Sequence, residues 1–398
     1  MSINIKLTVF VVAAILVASA AGFFLLNDRT RDTEIDIISN IESGGSGIFY
    51  RQSDRLSSPE DLATVNAPGD IDYHHENWNK LIFASPSVVS IQHIQLKTIV
   101  ETLLDGGGKY RLVPYQDGQA LEDGHVYYVI LSGGQLLDSK IIDAGITGLP
   151  RLLKTVQGDS PFRISVLTND LFPHQTCCVV SVNKSFADAN PDVVVRTLWA
   201  IAKGTEWLID ALEKGKADPN DPDYLKALDI GARIAGPVYT TQDIADSIYD
   251  IEYAWGDADD SANPLKTLKG DIAYITSDLE RINAVTKTVE DLGFDSYEAY
   301  ADRQVVDTYL KEAIKGKPDY TERFTVRFAL IGGDIHQLPI HVAAELGFFD
   351  EVGLDFERTF VQIGHVVVAT MKANEADFGI SGQPPILVDA INNELVRA

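Results

Sequence analysis

Five short segments carry residues able to do chemistry. His336 and Gln337 follow an apolar run and the double glycine Gly332-Gly333, which places both at the edge of a cleft with a binding role. Ser381-Gly382-Gln383 precedes Pro384-Pro385 and opens a helix, where free backbone N–H groups attract anions and carbonyls. Ser381 is expected to be both N-cap and ligand contact. Ser90, Gln92 and His93 start another helix, with Ser90 facing the ligand and His93 pointing inward. His174 precedes a strand and reads equally as hinge or ligand residue. Ser43-Gly44-Gly45-Ser46-Gly47 has the composition of a phosphate-cradling nest, but lacks the lysine and glycine spacing of a P-loop. Its plainer reading is a tight turn between strands.

The two cysteines, Cys177 and Cys178, are adjacent. Strand alternation sends one inward and the other outward, and a bond between them would close a strained ring. With scattered histidines they make no four-ligand zinc site. His341 stands five residues after His336, on another helical face, so those two are not a metal pair. No Ser-His-Asp order, His-Glu-x-x-His or nucleotide fingerprint occurs. No catalytic residue, metal or cofactor is expected.

Those residues need elements to hold them. The 398 residues are long enough for two or three domains. With 58 acidic against 33 basic residues and a net charge of −25, nucleic acid is an unsuitable partner, because phosphate binding needs clustered Lys and Arg. Residues 7–26 form an uncharged apolar run of twenty, the length that about 20 helical residues need to cross a bilayer. A cleaved signal peptide would use Ala18-Ser19-Ala20. The run continues through Phe23–Leu26, however, and an uncleaved anchor over 1–30 is expected, with the remainder outside the cytoplasm.

Strands are expected at Glu34–Asn40, Gly47–Arg51, Tyr110–Val113, Val126–Leu131, Ile141–Ile146 and Cys177–Val182, and Leu81–Ala84 is a short apolar run before Pro86. Helices are expected at Ile91–Leu104 and from Asn190 to Gly215, the second with Pro191 in first position. Residues 221–315 read as helical and acidic, with no strand. From Phe324 the pattern becomes β-α-β-α-β-α, the mark of a doubly wound parallel sheet. Ligands lie beyond the carboxyl ends of such strands, which singles out Gly333–Gln337, Ser381–Gln383 and Ser87–Gln92.

HQLPIHVAAELGFFDEVGLDFE (336–357) and ATMKANEADFGISGQPPILVDAI (369–391) resemble the opening of ABC-importer substrate-binding proteins of the nitrate, sulfonate, taurine and thiamine-pyrimidine branch. ESGGSGIFYR (42–51), SIQHIQLKT (90–98) and HQTCCVVSVNKSFADANPDVV (174–194) add to the likeness. The order is shifted, because the phrase at 325–398 comes first in that family. Circular permutation accounts for this economically; the rival is a truncated second copy. IIDAGITGLP (141–150) lacks the family's Trp-Glu phrase, and Gln119–Gln135 looks inserted.

The resemblance implies a two-lobe, periplasmic-binding-protein-like α/β fold with a ligand cleft between lobes. Residues 31–60, 170–215 and 325–398 would form the first lobe and 61–169 the second. Residues 216–324 would be an acidic helical extension on the first lobe. Ser43 and Ser46 would then lie on a crossover strand and contact ligand. The implied function is a monomeric receptor at the cell membrane that delivers a small polar or anionic solute to importer permease subunits. The alternatives are a thiamine-pyrimidine-synthesis-like enzyme on the same fold, to which the cysteines would be relevant, and a surface interaction module.

Overall fold

The computed structural model describes residues 34–131, 135–254 and 268–393. The anchor expected over 1–30, and the meeting of Ala398 with Thr33 that permutation implies, lie outside them. Among the described residues no helix is long and apolar enough to cross a membrane.

The chain is mixed α/β. Fourteen strands are described: β1 (Ile35–Gly44), β2 (Ser46–Arg51), β3 (Ala63–Ala67), β4 (Asp70–Tyr73), β5 (Ile82–Ser85), β6 (Arg111–Pro114), β7 (His125–Ile130), β8 (Ala144–Gly148), β9 (Phe162–Leu167), β10 (Thr176–Asn183), β11 (Ile251–Tyr253), β12 (Phe324–Ile331), β13 (Leu354–Val361) and β14 (Phe378–Gly382). One six-stranded sheet runs β11-β1-β10-β14-β12-β13 and a second runs β6-β7-β5-β8-β2-β9, with β3-β4 a separate hairpin. Both sheets are mixed. In the first, β13, β12 and β14 are parallel while β10, β1 and β11 run antiparallel to their neighbours. In the second, β6, β7, β5 and β8 are parallel and β2 and β9 antiparallel.

The glycine turn read between the first two strands is a crossover instead. β1 pairs with β10 and β2 with β8, in different sheets, with Gly45 alone between them. The second passage runs from β9 through residues 168–175 to β10. The last three strands belong to the sheet of β1 and β10, and β14 pairs directly with β10, Val180 opposite Ile380. Phe328 stacks on Phe378 at 4.9 Å between centroids, tying β12 to β14. In the second sheet, buried Trp78 stacks on Phe83 and donates its indole N–H to Leu62 O at 2.9 Å.

Five strands were not named as such, counting β5, which showed only as a short apolar run. β3 and β4 are largely exposed and polar, so no apolar alternation marks them. β9 carries Arg163 amid its apolar residues. β11 spans only three residues, inside the stretch read as wholly helical, and pairs antiparallel with Glu42–Gly44. The helix after Asn190 runs Pro191–Ala217, and Asn190 makes no side-chain cap to it. It crosses helix Leu338–Glu345 so closely that a Cβ on Gly204 would stand 2.4 Å from Pro339 O; no larger residue fits there.

The helices after residue 216 touch elements of both sheets. In helix Thr241–Ser247, Asp243 pairs with Lys154 at 2.8 Å and accepts from Gln157 at 2.7 Å, both from or beside helix Arg151–Val156. On another flank, Asp278 of helix Leu268–Arg281 accepts from Thr98 at 3.1 Å, and Lys97 donates to Ile282 O at 2.6 Å. Asp243 is nearly buried, which raises a carboxyl's affinity for its proton, yet Lys154 and Gln157 outweigh burial and hold it below the usual range. Lys154→Ala leaves that charge with fewer partners. It should cost about 1–3 kcal/mol in chemical denaturation at neutral pH. The wild-type tie persists above the ordinary carboxyl value of about 3.9 and fails only as pH drops through the depressed value.

Candidate functional site

A cavity of about 140 Å3 lies between the two sheets. Its walls are the carboxyl ends of parallel strands on both sides. Ile331 ends β12 and Gly332 to Asp334 follow it, Gln362 and Ile363 follow β13, and Gly382 ends β14; opposite them, Pro86 and Ser87 follow β5, and Thr147 and Gly148 end β8 with Leu149 just after. The volume is small beside the roughly 300–1,000 Å3 of drug-sized ligand sites. It suits a solute of few heavy atoms.

Asp334 and His336 border the cavity as an ion pair, the ring buried and the carboxylate largely so. Asp334 Oδ1 accepts from the backbone N–H of His336 at 3.0 Å and from its Nδ1 at 2.6 Å. The Nε2 donates to Gly45 O at 2.9 Å. Burial opposes charge on the ring, but Asp334 and Glu42 outweigh it and lift the imidazole to about 9. Burial likewise opposes charge on Asp334, and His336 overcomes it, so the carboxyl is held below its usual value. Both ring nitrogens therefore carry protons and both donate. A Cβ at Gly45 would stand 2.4 Å from His336 Nε2, and its φ is +70°, so the crossover residue has to be glycine.

The structure brings some of the expected residues to the cavity and not others. Ser90, Gln92, His336 and Gly382 line it. Ser90 caps helix Ile91–Thr98 by accepting from His93 N at 3.2 Å, and donates to Ser87 O at 2.8 Å. Gln92 donates to Ser46 Oγ at 2.9 Å, so Ser46 stands behind Gln92 and does not line the wall. His93 points inward as expected, within 3.2 Å of Ser85 Oγ, and burial depresses its imidazole to about 4.

The other positions need correction. Ser381 is no N-cap and does not line the cavity; it lies inside β14 opposite Val179, fully buried. Gln337 is buried, its amide bridging Ile331 N, Asp334 and Ile380 O, and so it braces the loop after β12. Gln383 donates to Thr176 O at 2.6 Å from a fully buried position. Ser43 sits in β1 between Thr176 and Glu252, away from the wall. Of the two roles open for His174, the structure places it in the second crossover, 2.9 Å from Glu252 and outside the cavity.

Thr147, Arg151, Tyr239 and His365 also line it and were missed; Asp334, which lines it too, falls inside the Gly333–Gln337 segment. Thr147 Oγ1 is buried without a hydrogen-bond partner, as a ligand-seeking hydroxyl would be. Its place at the end of β8 was the available signal. Tyr239 arrives from the helical stretch, and nothing in its local sequence marks it. The helices Ile91–Thr98 and Gly364–Lys372 begin at the wall, directing N–H groups inward. Arg151 adds a guanidinium, while the charge of Asp334 is balanced by His336. Comparison of the chain with protein-family models, with curated proteins and with solved structures finds no match.

Proposed function

We propose that the chain is a solute receptor whose two α/β lobes, one on each six-stranded sheet, close around a small polar or anionic ligand and present the closed form to importer permease subunits. The observation that carries this reading is a cavity lined from strand ends of both sheets, with the sheets joined through the one-residue passage at Gly45 and the segment 168–175. A ligand touching both walls stabilises the closed form over the open one, and only such differential contact can drive closure. The shifted order of the family-like phrases is then circular permutation, with 324–393 completing the first lobe and the N-terminal run anchoring the receptor outside the cytoplasm. Among the candidate solutes, nitrate-like anions and short sulfonates suit the small cavity better than an aminopyrimidine.

A thermal-shift panel of nitrate, short alkanesulfonates and aminopyrimidines tests the reading. At a hundredfold excess over Kd, a bound solute adds about 2.7 kcal/mol, a rise of several degrees. Gly382→Leu should abolish the rise while preserving the unliganded melting point. A Cβ there meets only Cys177 O at 3.6 Å and a proline carbon at 3.7 Å, so the side chain fills the cavity and not the core. No shift with any member, or an undiminished shift in the variant, would overturn the assignment. The two thiols at the wall beside a largely buried His–Asp pair favour, as a second reading, an enzyme on the same framework; consumption of a bound solute would separate the two.

A further inference from the structure

Between β1 and β10, Glu42 opposes Cys178 and Ser43 opposes Thr176, so two residues of β1 face three of β10 and Cys177 is the extra one. Such a bulge re-aims a side chain. Regular alternation would part the two cysteines, yet their sulfurs stand 3.9 Å apart and both residues border the cavity. Glu42, fully buried, approaches from the neighbouring strand. Its Oε1 accepts from Cys178 N at 2.8 Å, and its Oε2 is buried without a partner. One donor atom from each of the three residues lies within 4.8 Å of the others.

We propose that Glu42, Cys177 and Cys178 bind a single thiophilic divalent cation of the zinc class, with a fourth coordination position toward the cavity. Two sulfurs, each about 2.3 Å from a tetrahedral zinc, stand about 3.8 Å apart. The sulfurs of Cys177 and Cys178 already hold that spacing. The unpartnered Oε2 supplies the third donor, and an ion at the centre satisfies an oxygen that the fold otherwise buries at a cost. Calcium and magnesium are excluded by the donor set, because they call for six or more oxygen ligands. Three protein ligands leave one position open, through which a small anion in the cavity reaches the metal. The site does not depend on the receptor reading.

Cobalt titration of the full chain, reduced and freed of metal by a chelator, tests it. One equivalent of Co2+ should produce a thiolate-to-cobalt charge-transfer band with the intense visible bands of a tetrahedral ion, discharged by one equivalent of Zn2+. Cys177→Ser or Cys178→Ser should weaken the charge-transfer band, and the double variant should lack it. Glu42→Gln should keep the band while weakening cobalt at least about tenfold, since losing even an outer-shell partner costs about 10–100-fold. A second measurement needs no variant: in urea just below the unfolding transition, at a concentration where maleimide reaches the buried thiols at a measurable rate, one equivalent of Zn2+ should shield both of them. No charge-transfer band from a chain with two counted thiols, or unchanged alkylation with zinc, overturns the site. Cobalt titration without solute, and the solute panel on the chelated, metal-free chain, read the two separately, so failure of the metal site and failure of the receptor reading are told apart.

Discussion

A chain stopped before Phe324 should show no cooperative melting transition and should bind a dye that reports exposed apolar surface. The cut removes β12, β13 and β14, half of the first sheet, together with helices Leu338–Glu345, Gly364–Lys372 and Gln383–Asn393. β10 then presents a bare edge at Val180 and Val182, which invites pairing with other chains. Phe328, Phe378, Ile380 and Leu387 leave the core with their elements. Each large apolar side chain contributes about 1.5–3 kcal/mol when buried, and net stability is only about 5–15 kcal/mol. A soluble remainder with a single sharp transition by calorimetry would refute the interdependence of the two segments.

His336→Ala should cost about 3–5 kcal/mol, because it strands the carboxylate of Asp334 in a buried site without its counterion. The wild type should also carry an alkaline signature. Its imidazole is lifted to about 9, against about 6.5 in an unfolded chain. A group whose folded value is raised contributes fully below the unfolded value, and the contribution is lost as pH rises through the folded one. Wild-type stability should therefore decline between about pH 6.5 and 9, and His336→Gln should flatten that limb. Parallel urea-denaturation profiles for the two proteins across this range would exclude a charged His336. Combining His336→Gln with Asp334→Asn should recover part of the loss, since no buried charge then lacks a partner.

The strands with strong apolar runs were legible because their side chains face packed layers, all of them in Thr176–Asn183 and Val326 with Phe328–Leu330 in Phe324–Ile331. The loops after them were legible too, since a strand ending in Gly332-Gly333 before a helix positions His336 where it is found. What failed was orientation at single positions. Ser381 looked like a helix cap because two prolines follow Gln383, yet β14 continues to Gly382 and turns the serine into the sheet. The cysteines looked divided because alternation assumes an unbroken ladder, and a bulge depends on the pairing partner, which local sequence does not show. β11 owes its existence to the edge of β1 and not to its own three residues. Tyr239 and Arg151 meet at the cavity only through tertiary packing.

Because β10 sits between β1 and β14, synthesis and folding are out of step. When Asn183 has left the ribosome, the partner strand that covers its far edge lies beyond Phe378 and has still to be made. At about 5–20 residues per second, the wait is on the order of ten seconds or more, far longer than the about 1–10 μs a hairpin takes to form. During that interval Val179, Val180 and Val182, all buried in the finished fold, face solvent along an open strand. An occupant of that edge during the interval, such as a holding chaperone or helix Pro191–Ala217 in a provisional position, would keep it from pairing with other chains. Ribosome-bound chains halted at increasing length should stay protease-sensitive across residues 176–183 until Gly382 has emerged, and then become protected in a single step.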